Sequence, residues 1–162
     1  MPDVTHAITI DGHTSMEAAP YDSTVEAAIE RAVRMLDGDR HFAVSLWALP
    51  PGTPIDLVKR DEWPQEYIQA AGDDGRRLTA ELRQRDEAGG YEQFVIGRSE
   101  TNSPALTETI SWSGGSSAVR SSEVLTTDEV VDLFVAYYHT GTVPPAFSRR
   151  PLAAPTRQQR TA

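Results

Sequence analysis

The sequence predicts an α+β domain: two helices packed on one face of an about five-stranded, mainly antiparallel sheet, with a charged insertion. Three observations carry this. Two segments start with capping-box spacing, continue as an i, i+3, i+4 apolar stripe and close at a glycine. Short apolar or alternating runs around them read as strands. One such pair is joined by Ser113-Gly114-Gly115-Ser116, as antiparallel neighbours are.

In chain order, Val4–Ile10 is a predicted strand with Val4, Ile8 and Ile10 on one side, turning at Asp11-Gly12. Ser23-Thr24-Val25-Glu26 opens the first helix. Val25, Ala28, Ile29, Ala32, Val33 and Leu36 form its stripe, and Asp37-Gly38 ends it. Phe42–Leu49, apolar on both faces, is a buried central strand. Pro50-Pro51-Gly52-Thr53-Pro54 then breaks the pattern. Leu57 to Gly90 is rich in charge and poor in apolar positions, and it reads as an irregular insertion. A short surface helix is expected within it around Leu78 and Leu82.

Tyr91–Gly97 is a strand, and Leu106–Trp112 with Ser117–Val124 forms a hairpin. Thr126-Thr127-Asp128-Glu129 caps the second helix, whose stripe is Val130, Val131, Leu133, Phe134, Tyr137 and Tyr138. Gly141 stands at its C′ position. Residues 1–144 are thus expected to be globular and 145–162 a disordered Arg- and Pro-containing tail.

Length and composition agree with one domain that buries a core: 162 residues, 39% hydrophobic and 24% charged. No apolar run approaches the ~18 residues of a membrane span, and the start of the chain lacks a signal-peptide pattern. The absence of cysteine excludes disulfides, thiolate metal sites and cysteine nucleophiles, so cytoplasm is the expected compartment. Net charge is −9, and it is uneven. Pro145–Ala162 holds four arginines and no acid, leaving −13 on the rest. Such a domain is repelled by nucleic acid and anionic membrane and attracted to a basic protein.

Catalytic chemistry finds little to work with. His6, His13, His41 and His139 do not stand at metal-ligand spacing, and Lys59 is the only lysine. No Gly-x-Ser-x-Gly elbow occurs, and the Ser-Gly-Gly-Ser turn leads into a polar strand instead of the helix a phosphate loop requires. Glu108, between Leu106 and Ile110, is the carboxylate that could acquire a raised pKa. The competing expectation is that it faces solvent or pairs with an arginine such as Arg120 across the hairpin. Trp47 belongs to a core strand. Trp63, within Arg60-Asp61-Glu62-Trp63-Pro64, is either an interface anchor or a residue tucked under its own loop. The chain is expected to be no enzyme and to need no cofactor or metal.

The stretch from Ile110 through Val124-Leu125, then "Leu-Thr-x-x-Glu", Leu133-Phe134, Tyr137-Tyr138 and Thr140-Gly141-Thr142-Val143-Pro144, resembles a family of polymorphic-toxin immunity proteins. Its members are associated with SCP1.201-like deaminase toxins. In that family a helix ending in a Gly-x-x-Pro turn closes the domain, often followed by a tryptophan; Phe147 stands there in this chain. The resemblance covers about 50 residues firmly, and the N-terminal half only in its β-α-β order. It implies an antitoxin that blocks a cognate bacterial toxin, a nucleic-acid deaminase with a basic surface, without catalytic residues of its own. The acidic residues of the insertion (Asp61, Glu62, Glu66, Asp73, Asp74) with Trp63 are the toxin-binding candidates. Two other classes stay open: a chaperone-like interaction protein, and a small-molecule-binding or hydrolytic α+β domain.

Overall fold

Both helices form where their caps place them. Thr24 accepts a hydrogen bond from the Ala27 backbone N–H and begins α1 (Val25–Arg34). The cap is thus Thr24 and not the Ser23 that the capping-box spacing would select. Thr126 and Glu129 exchange the reciprocal bonds of a capping box at the start of α2 (Thr127–Thr140). Gly141 closes α2 at φ 76°, a left-handed conformation that a Cβ would strain.

The computed structural model describes residues 4–20, 24–59, 66–74, 77–99 and 105–152, with 73 and 74 described by their backbone only. The strands are β1 (His6–Ile10), β2 (Thr14–Glu17), β3 (Ala43–Ala48), β4 (Tyr67–Asp74), β5 (Arg77–Arg85), β6 (Tyr91–Gly97), β7 (Glu108–Trp112), β8 (Gly115–Val119) and β9 (Ser148–Pro151). Seven of them make one antiparallel sheet in the order β2-β1-β3-β4-β5-β6-β9, while β7 and β8 pair apart as a hairpin.

Side chains alternate across the sheet, so each face has its own composition. Ile8, Ile10, Val44, Leu46, Ile68, Leu78, Leu82 and Ile96 point to the helix side. There they meet Ile29, Val33, Val130, Leu133 and Phe134 in the main core. The small Ala70 and Ala80, partners across β4 and β5, lie in the same core. The opposite face carries two smaller apolar clusters. At one end Trp47, Ala7 and Leu49 are covered by Val4, Ile55, Val58 and Tyr67. At the other, Val95 packs under Ile110 and Val119 of the β7–β8 hairpin. Gly97 lies against the segment that follows the hairpin. A Cβ there would stand 2.9 Å from the Glu123 side chain and 3.0 Å from the Ser122 carbonyl.

The α+β class, the antiparallel sheet and the helices on one face are as predicted, but the strand count is not. The expected insertion supplies two central strands, β4 and β5, and the expected surface helix around Leu78 and Leu82 is part of β5 with both leucines fully buried. Positions 78, 80 and 82 share one face of a strand as well as a spacing of four, and Ala80 was too small to reveal the alternation. The second hairpin strand ends at Val119 instead of Val124. A 3-10 turn (Ser121–Glu123) follows, and Leu125 then bridges to Leu78. The boundary at 144 is also overturned. Phe147 packs on the core, and Ser148–Pro151 forms edge strand β9 against β6. Residues 153–162 of the expected tail lie outside the described ones.

Candidate functional site

The face away from the helices is the candidate. Register places Ser15, Thr9, Ser45, Gln69, Glu81, Val95 and Arg150 in one row across all seven strands. Tyr67, Arg83 and Gln93 are cross-strand partners in the next row. The row begins in a network that is buried at its inner end: the Trp47 indole donates to Thr9 Oγ1 at 2.9 Å, and Thr9 Oγ1 meets the half-buried Ser15 Oγ at 2.9 Å. It ends in a buried ion pair. Arg150 donates through Nε and a terminal nitrogen to both oxygens of Glu123, at 2.8 and 2.9 Å, and the Arg120 N–H donates a third bond. Glu123 is 1% exposed. A carboxylate so deeply placed depends on that bidentate arginine.

Between these ends the floor stays partly accessible: Ser45, Tyr67, Gln69, Glu81, Arg83 and Gln93 are all half-buried. Burial pushes the Glu81 carboxyl above its usual range, opposed by a hydrogen bond from Gln93 and by the nearby charge of Arg150. Gln93 is held from both sides. Its Nε2 donates to Glu81 at 2.5 Å while its Oε1 accepts from Arg83 at 3.3 Å. The Arg83 guanidinium also lies 5.0 Å from the centre of the Tyr91 ring, with Arg85 at 5.6 Å from the same ring. Burial raises the Tyr67 hydroxyl as well.

Only part of the predicted toxin-binding set falls among the described residues. Asp61, Glu62 and Trp63 lie outside the described residues. Glu66 immediately precedes β4, where its carboxylate accepts from the Arg85 N–H at 3.3 Å. Asp73 and Asp74 end the same strand, about 23 Å away at ~3.3 Å per residue. Glu108 pairs with an arginine, as one expectation had it, but the partner is Arg77 at 3.3 Å and not Arg120. Sequence reasoning missed Tyr67, Glu81, Gln93 and the Glu123–Arg150 pair. The one available signal was the alternation of Ile68-Ala70 and Leu78-Ala80-Leu82 against polar neighbours.

The histidines take structural places. His6 opens β1, its ring 4.9 Å from that of Tyr138, and burial lowers its pKa. His41 approaches Asp11 at 3.3 Å, and His139 in the last turn of α2 approaches Glu26 at 3.7 Å. Among the described residues no group of three or more His, Asp or Glu side chains could hold a metal ion. Nor is any described helix long and apolar enough to cross a membrane.

Comparison with protein-family models, with curated proteins and with solved structures finds no match. Fold and site therefore define a class on physical grounds alone. It is an acidic α+β domain whose antiparallel sheet is covered by helices on one face and presents a polar, partly open floor on the other.

Proposed function

We propose that the protein is an immunity protein, acting in the cytoplasm by binding and blocking a bacterial toxin, a nucleic-acid deaminase, and performing no catalysis itself. The observation that carries this reading is the charge. Acids outnumber bases by 24 to 15. Arg34, Arg77, Arg98 and Arg150 also direct guanidinium nitrogens to the protein's own carboxylates. Each such pair cancels one acid against one base, so the excess of acids sets an acidic exterior field, the sign that draws in and covers a basic nucleic-acid-binding enzyme. The resemblance of the hairpin and α2 to toxin-immunity proteins supplies the class of partner.

The test is a titration of the full chain against the toxin domain encoded beside its gene, with growth rescue on coexpression. A one-to-one complex that weakens as salt rises is the expected result. Absence of measurable binding at micromolar concentrations in low salt rules the antitoxin out.

A further inference from the structure

We infer that the floor formed by Ser45, Tyr67, Gln69 and Glu81 is a built site for a guanidinium group, supplied by an arginine side chain of the protein partner. Three strands place these groups together. Ser45, Gln69 and Glu81 are direct cross-strand partners on β3, β4 and β5, and Tyr67 lies two residues from Gln69 on the same face. Neighbouring strands are ~4.8 Å apart, so the row spans about 10 Å, the reach of one long side chain laid across it.

Their hydrogen-bonding capacity is unspent. One Glu81 oxygen accepts from Gln93, while the other accepts from no described residue. The Ser45 and Tyr67 hydroxyls and the Gln69 carboxamide likewise bond to no described residue. These half-buried groups stay open to water, so a ligand can reach them and take up their free acceptor positions. Their chemistry selects the partner. A carboxylate oxygen, a carboxamide oxygen and two hydroxyls are acceptors spread over a flat surface. Guanidinium offers five N–H donors in a planar fork, whereas ammonium is a compact point charge. The Tyr67 ring, seated on the Trp47 cluster, adds an aromatic surface for the guanidinium plane. The protein's own cations nearby are committed elsewhere: Arg83 to Gln93 and the Tyr91 ring, Arg150 to Glu123. Gln93, gripped by Arg83, acts as a positioning residue that aims the carboxylate.

This inference deepens the antitoxin reading by naming the contact, and its test does not need the toxin. The isotope-labelled full chain is titrated at low salt with acetyl-Gly-Arg-Gly-amide and with the isosteric but uncharged citrulline peptide. The signals followed are the Gln69 and Gln93 side-chain amides and the Tyr67 ring. The expected result is saturable shifts at all three with the arginine peptide, and affinity weaker by about tenfold or more for citrulline and for Glu81→Gln. Tyr67→Phe, which keeps the ring and removes the hydroxyl, provides a second, milder loss should the first variant be compromised. Equal response to both peptides, or an undiminished response in Glu81→Gln, overturns the site. A toxin complex whose affinity Glu81→Gln leaves unchanged also overturns it while sparing the antitoxin reading. Peptide binding at Glu81 without any toxin complex upholds the site and removes that reading.

Discussion

At the scale of single residues, the sheet floor sets stability against readiness to bind. The folded state holds the Glu81 proton more tightly than the unfolded chain does, because burial disfavours the carboxylate. Stability from this group is therefore full below the ordinary carboxylate range and declines as pH rises through its raised value. Glu81→Gln removes the charge but keeps an acceptor for Gln93. We expect it to melt above the wild type at neutral pH, with the gap closing below pH ~4.5, the ordinary glutamate value. Thermal melts across pH 4 to 8 check this, and a variant less stable at neutral pH contradicts it. Beyond the faint alternation of Leu78-Ala80-Leu82, the sequence did not mark Glu81. It is one of 24 acids, and its significance arises from a register with Gln69 that only the folded sheet creates.

Among the elements, legibility followed how much local chemistry each one carries. The helices announced themselves because caps, stripe and terminal glycine are all contained within one short segment. The β7–β8 hairpin was visible through its glycine turn. By contrast, β4 and β5 use Ala70, Gly72 and Ala80 on the core side, so their alternation has low amplitude, and flanking arginines and glutamates dominate the pattern. Edge strand β9 was illegible for another reason: Ser-Arg-Arg-Pro has no apolar alternation at all. It is held by main-chain pairing, by Arg149 donating to Thr142 at 2.7 Å, and by Arg150 on Glu123. Proline ends the strand at a sheet edge, where its missing N–H is tolerated. Deleting residues 146–162 should thus be strongly destabilising. Arg150→Ala alone should cost about 3–5 kcal/mol, since it strands a buried carboxylate. Pairing it with Glu123→Leu should restore much of the loss. Denaturant unfolding of the single and double variants measures both.

For the whole molecule, acidity governs both solitary and associated behaviour. A net charge of −9 on one domain means self-repulsion in the free protein, which added salt screens. Moderate salt should accordingly raise the melting temperature of the isolated chain while weakening its complex with a basic partner. Opposite slopes in paired melting and binding series are the expected outcome. Parallel slopes would mean that association is not electrostatic in origin. The fold class was readable at this scale because composition, charge and element order are global properties. The identity of the open face was not, since it required knowing which strands are neighbours.

The Glu123–Arg150 pair also predicts an order of events in folding. Glu123 is always made before its partner, which follows 27 residues later. Until then, folding the turn that buries this carboxylate would leave it with only the Arg120 N–H and no counter-ion. We therefore expect the hairpin layer over Val95 and Gly97 to close after the β4–β5–β6 meander, which is built from neighbours in sequence, an order that pulse-labelled hydrogen exchange during refolding checks.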